Sequence, residues 1–227
     1  MAKNTAPNTK RRKALSTDRV LAAAVTLADE GGIDSLSMRK LGQALGVEAM
    51  SLYSHVANKD EILDGIVDRV VGEIEIPTGE TDWKTAMRQR AISAHEVFLR
   101  HPWVITMIES RIKMSPVRTR YFDATIGALR AGGFSIGLAY HAFLTLDSYI
   151  YGFTLHEVSW QFEPEERQDV AADLGSQVSP EEYPYIAEIM EFVLSPDSAR
   201  DEAGYVTEFE FGLNLILDGL EKHLASE

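Results

Sequence analysis

Residues 33–64 read IDSLSMRKLGQALGVEAMSLYSHVANKDEILD, and this stretch decides the fold. The pattern is a short helix, a glycine turn, a second short helix, and the capped start of a longer one. Leu36, Leu41, Leu45, Val47, Leu52 and Val56 recur at helical spacing and supply a small apolar core. That core leaves Arg39, Ser51, Tyr53, His55 and Lys59 to point outward. Ser37 is placed to cap the helix that begins near Met38, and Gly46 suits the left-handed turn after a helix end. The helix Ala49 to Ser54 is shorter than two turns, so packing must hold it. Asn58 with Glu61 three positions on resembles a capping box and starts the next helix at Lys59.

Two readings fit a helix-glycine-helix pattern. One is a helical hairpin buried in an unrelated bundle. The other is a compact scaffold that offers a polar, partly basic helix to the major groove of DNA. The outward Ser51, Tyr53 and His55 favour the second, because a buried helix would carry apolar groups there.

Charge is divided in the same sense. The 227 residues carry a net charge of -13, which alone argues against nucleic acid. Residues 1–59, however, hold nine Lys and Arg against five Asp and Glu, a balance of +4, and the remainder carries -17. Cation is concentrated where phosphates would be met, and the acidic remainder would be repelled by a duplex. The run Lys10, Arg11, Arg12, Lys13 makes residues 1–15 a flexible basic arm, either simply solvated or contacting phosphates and the minor groove.

Around this unit the chain reads as helix throughout. Val20, Leu21, Ala24, Val25 and Ala28 form a stripe that ends at Gly31-Gly32. Ile62, Ile66, Val70 and Ile74 continue the helix from Lys59 toward Pro77, and the segment from Ile76 to Thr81, with its Pro and Gly, marks the domain boundary. Further helices are predicted from Asp82 to Arg100, Trp103 to Lys113, Pro116 to Ala131, Ser135 to Trp160, Pro180 to Leu194 and Ala203 to Ala225, with an acidic stretch from Glu163 to Gln177. The fold class is therefore all-α. Residues 16–75 form a three-helix helix-turn-helix domain with a connecting helix, and residues 76–227 form a larger helical domain.

The residues quoted above carry a resemblance. Leu36-Ser37-Met38-Arg39-Lys40-Leu41, Leu45-Gly46-Val47, Leu52-Tyr53-Ser54-His55-Val56 and Asn58-Lys59 are similar to the DNA-binding domain of the tetracycline-repressor (TetR) family of bacterial transcription regulators. The match covers residues 16–72. A weaker likeness runs through Gly132-Gly133-Phe134-Ser135, Phe211-Gly212-Leu213 and Gly219-Leu220-Glu221-Lys222. The resemblance implies a ligand-responsive regulator, most often a repressor, that binds a pseudo-palindromic operator as a homodimer. It also implies an effector-binding and dimerisation role for the second domain.

The resemblance also assigns roles. Arg39 and Ser51 are candidates for base or nearby phosphate contacts, and Tyr53, His55 and Lys59 for the backbone. Met38, Ala49 and Met50 stand where the family's founding member has polar residues or proline, which points to a different operator read partly through thymine methyls. The helices Ser135–Trp160 and Ala203–Ala225 match those that pair between subunits in the family. Leu138, Ala142, Tyr149, Phe153, Phe209, Leu213, Ile216 and Leu220 are the expected dimer surface. The effector site is expected among Met87, His95, Phe98, Trp103, Met107, Ile108, Arg111, Phe122, His141, Phe143 and Asp147, a mostly apolar set with few polar anchors. The founding member holds its drug through magnesium and a histidine. Ile105 to Arg111, the corresponding stretch, has no histidine, so no metal or other cofactor is expected and a largely hydrophobic effector is.

Other classes find little support. His95-Glu96 would open a zinc-protease motif only with histidine four positions after His95, where Leu99 stands. No glycine-rich phosphate loop or nucleophile elbow is present. No apolar run spans a membrane and no secretory signal is visible, and with zero cysteines the expected location is the cytoplasm. A DNA-binding regulator without a small-molecule effector, and a helical ligand-binding protein with a vestigial DNA head, remain as alternatives.

Overall fold

A computed structural model describes residues 14–78, 81–111, 114–159, 179–194 and 207–226. Among them the elements are helices, with no strand. In chain order they are α1 (Thr17–Gly31), α2 (Met38–Leu45), α3 (Ala49–Leu52), α4 (Lys59–Val71), α5 (Trp83–Arg100), α6 (Trp103–Ser110), α7 (Pro116–Ala131), α8 (Ile136–Ser159), α9 (Pro184–Leu194) and α10 (Glu208–Leu224). A 3-10 turn, Ile33–Ser35, joins α1 to α2. Residues 1–13 of the basic arm, the whole acidic stretch from Glu163 to Gln177 and the start predicted at Ala203 lie outside the described residues.

The helix starts follow side-chain chemistry. Ser16, Ser37 and Ser115 each accept from the backbone N–H three residues on, and each satisfies a donor the helix leaves free. Asn58 Oδ1 accepts from Glu61 N at 2.8 Å, but the Glu61 carboxylate reaches back to Ala57 N rather than to Asn58. The anticipated capping box is thus closed one residue further out. Thr207 and Glu210 form a complete box at the start of α10. Gly46 ends α2 at φ 68°, the left-handed conformation that a β-carbon disfavours. The last helix of the reading unit, α3, is a single turn that ends at Leu52, with residues 53–55 in a turn.

The head is α1 to α4. Val20, Ala24 and Ala28 of α1, Leu36, Leu41, Leu52 and Val56 of the reading unit, and Ile62, Ile66 and Val70 of α4 are all buried in one core. In the second domain α5 packs on α8, α10 and α7, and α8 packs on α7 and α10. Helix α4 belongs to both, because it also touches α5, α6 and α7. Three polar ties reinforce that join. Asp29 of α1 accepts from Trp103 Nε1 and meets His101 Nδ1, each at 2.7 Å. Asp68 of α4 meets Ser115 and Arg118, and Arg111 meets Asp60 and Asp64.

Candidate nucleic-acid interface and ligand cavity

The outward face of the head comes from α2, α3 and the start of α4. Leu41 and Leu52 are completely buried and hold the two short helices at a fixed angle, with Val47 wedged between them. This leaves Arg39, Ser51, Tyr53 and Lys59 exposed, and Met50 projects with them, at 76% exposed. Three of the expected contact residues are less available. Met38 is half-buried against the head core, and Ala49 and His55 are half-buried too. The His55 carbonyl accepts from Thr17 Oγ1 at 2.9 Å, which ties the end of the reading turn to the start of α1. Lys59 is the first residue of α4, so a phosphate held by it would also face that helix's N-terminal amides.

A cavity of about 410 Å³ opens in the second domain beside α4. Its wall includes Val71 and Ile74 from α4 and the turn after it, Phe98 from α5, Ile108 and Arg111 from the end of α6, Phe122 from α7, and Phe143 and Asp147 from α8. Six of the anticipated effector residues therefore share one hollow: Phe98, Ile108, Arg111, Phe122, Phe143 and Asp147. The other five do not line it. Met87 is fully buried in the core, and Trp103 is spent on Asp29. Met107 packs on the core, and His141 is exposed on α8. His95 lies elsewhere, stacked on Phe209 with ring centroids 3.9 Å apart, beside Thr154 and Glu157. Burial holds its imidazole below the ordinary value, against the pull of Glu157. It borders a second, acidic hollow between α5, α8 and the start of α10.

Met114 also lines the main cavity, and Tyr121, Tyr151, Tyr140, Arg118, Leu144 and Glu109, which complete it, were missed from sequence. The signal was present: Tyr140, Phe143, Asp147 and Tyr151 follow one another on α8 at steps of three and four. Asp147 is the polar floor. It accepts from Arg90 and from Tyr151 Oη, the latter at 3.2 Å. Burial pushes the Tyr121 and Tyr151 phenols well up, so both stay protonated, and the Tyr151 proton is the one donated to Asp147.

The anticipated dimer surface needs correction. Ala142, Phe209, Leu213 and Leu220 are core residues of the single chain, and Leu138, Tyr149, Phe153 and Ile216 are half-buried against that core. Tyr149 Oη donates to the Phe209 carbonyl at 2.8 Å, and its ring fills the space that a side chain at Gly212 would occupy. The reason is physical: α8 and α10 are apolar on more than one side, and periodicity does not say which side the chain itself buries. The uncovered sides carry Tyr140, Leu144 and Leu155 on α8, and Phe211 and Leu215 on α10, where Phe211 is 63% exposed and Leu215 61%.

Comparison with known proteins bears on both regions. Residues 20–66 match the model for bacterial regulatory proteins of the tetR family, and residues 76–224 match the tetracyclin repressor-like C-terminal domain. The HTH-type transcriptional repressor DrrR1 of Streptomyces coeruleorubidus is 31% identical over 218 residues, spanning 91% of this chain and 77% of that protein. The class A tetracycline repressor protein from transposon 1721, from Escherichia coli, is 29% identical over 211 residues, spanning 92% and 91%. The crystal structure of ActR from Streptomyces coelicolor in complex with actinorhodin superposes with a TM-score of 0.72. The two are 29% identical, and the match covers 93% of this chain and 99% of that one.

Proposed function

The chain belongs to the tetracycline-repressor (TetR) family of bacterial transcription regulators, and from that membership we propose that it represses transcription from a pseudo-palindromic operator. It binds there as a homodimer and leaves when a small molecule fills the cavity beside α4. The observation that carries this reading is the double membership of one helix. Ile62, Ile66 and Val70 of α4 are core of the DNA head, while Val71 at its C-terminal end and Ile74 in the turn after it are wall of the cavity. A ligand that prefers one setting of that wall changes the setting of the head, and the shift is limited by its difference in affinity for the two. The cavity's size falls within the roughly 300–1,000 Å³ range of small-molecule sites, and its lining includes six aromatic side chains. The bound ligand in the ActR structure and the repressor names of the relatives support the same reading.

The homodimer is supported by the uncovered sides of α8 and α10, where exposed Phe211 and Leu215 are out of place on a monomer. A two-fold pair presents two reading heads, and so requires two half-sites one helical turn or a multiple apart. The experiment is a selection of random duplexes on the purified protein, followed by a screen for compounds that displace it from the selected operator. Enrichment of an inverted repeat, and its release by a compound that also raises thermal stability, is expected. Enrichment without any releasing compound would leave a regulator with no small-molecule effector. Ligand binding without enrichment would leave a binding protein with an idle head.

A further inference from the structure

Asp60, Asp64 and Asp68 follow one another on α4 at four-residue steps and share one side of it. Two arginines from outside the head meet them. Arg111, at the end of α6, holds Asp64 through Nη1 and Asp60 through Nη2 at 3.3 Å. Arg118, in the first turn of α7, holds Asp68 through Nε at 3.1 Å, and its Nη1 donates to the Arg111 carbonyl at 3.2 Å. Both arginines also line the cavity. A third, Arg90, lies behind the wall, bound to Asp147, with the rings of Tyr121 and Phe143 against its guanidinium.

Two observations give this set a direction. In every pair the arginine lies deeper than its carboxylate: side-chain exposure is 8% for Arg118 against 22% for Asp68, and 16% for Arg111 against 30% for Asp64 and 82% for Asp60. Arg90 is fully buried, and Asp147 is 10% exposed. In the two pairs on α4 the inner end is therefore cationic and the outer end anionic, whereas in Arg90–Asp147 it is the carboxylate that reaches the cavity. In addition, the buried side-chain polar atoms without a hydrogen-bond partner, among the described residues, are Nε and Nη1 of Arg90 and Nε of Arg111. All three are donors, and no acceptor is left over. Of the two residues Arg111 lines the cavity and Arg90 does not, so a ligand that brings an acceptor to Arg111 meets an unfilled need.

We infer that the effector is an amphipathic acid, a conclusion that rests on the effector reading above. Its ring body lies on the cavity's aromatic side chains, and its carboxylate or acidic phenol oxygen takes Arg111 and Arg118 away from Asp64 and Asp68. The exchange trades one set of charge-assisted bonds for another. The released carboxylates are on the solvent side and rehydrate. Helix α4 loses its tie to α6 and α7, and with it the head loses its fixed setting. Coupling is reciprocal, so operator-bound protein, with this clasp closed, binds the acid less well than free protein.

The test uses the full-length protein and two fluorescent probes of one shape, anthracene-2-carboxylate and its neutral carboxamide. The carboxylate is expected to bind about ten-fold or more tightly than the carboxamide. Asp64→Asn with Asp68→Asn keeps the side-chain shape while removing the competition. This pair raises carboxylate affinity by about ten-fold and leaves the carboxamide unaffected. Arg111→Met erases the preference between the probes. Melting curves without probe establish that each variant folds, and Asp68→Asn alone replaces the pair if it does not. Equal binding of the two probes, or a carboxylate affinity indifferent to the aspartate substitutions, overturns the proposal. So does binding of neither probe. In each of these outcomes the effector reading itself is still decided separately, by the compound screen on operator-bound protein.

Discussion

The Trp103 indole donates to the same oxygen of Asp29 that His101 Nδ1 meets, both at 2.7 Å. One carboxylate at the C-terminal end of α1 therefore holds the corner between α5 and α6, and the head is fastened to the body away from the cavity as well as beside it.

Asp29→Ala is expected to cost about 1–3 kcal/mol, because it leaves the indole N–H and the imidazole without their partner in a half-buried place. Urea denaturation measures this. Combined with Trp103→Phe, the loss should be less than additive by about 0.5 kcal/mol or more. Strict additivity would mean that the two groups do not interact.

Exposed positions on the head divide into two kinds of DNA contact. Lys59→Ala should weaken binding to every sequence alike and lower the salt slope by about one. Ser51→Ala should instead change which bases are preferred at one position of each half-site. Anisotropy titrations over a salt series and a set of operator variants separate the two. A uniform loss for Ser51→Ala would remove it from the base-reading set.

The uncovered sides of α8 and α10 predict the oligomeric state. Phe211→Glu with Leu215→Glu should yield a folded monomer, since both side chains are already in water in the single chain. Sedimentation reports the mass, and operator affinity should fall by about 100-fold or more as two half-sites cease to be engaged together. A dimer that survives both charges would place the contact elsewhere.

Arg90 and Asp147 form a buried pair whose disruption is costly in one way and tolerable in another. Arg90→Met removes the ionic partner of the buried Asp147, at a cost of about 3–5 kcal/mol. Adding Asp147→Leu should restore most of that loss, since an apolar pair of similar bulk needs no compensation. Denaturation midpoints of the single and double variants decide it.

Local chemistry was legible in the sequence wherever one residue answers one need. Ser37 and Gly46 set the ends of α2, Asn58 sets the start of α4, and Leu41 and Leu52 form the core between the short helices, because capping and burial are decided within a few residues. The choice between two apolar sides of a helix was not legible. Leu213 and Phe211 are neighbours on α10 with the same character; only the arrival of α5 and α8 on one side makes Leu213 core and leaves Phe211 outside. The cavity was half legible for a related reason. Phe143 and Asp147 advertise an amphipathic floor, but Met87 and Trp103 look equally suitable until partners on other helices claim them.

The continuity of α4 bears on how such proteins are recombined. A head transplanted onto another body with its junction in the Pro- and Gly-bearing stretch after Ile76 carries Val71, Ile74 and all three α4 aspartates with it. The graft therefore imports part of the donor's chemical sensor along with its operator preference. A chimera meant to inherit its host's inducer needs those five side chains changed back to the host's.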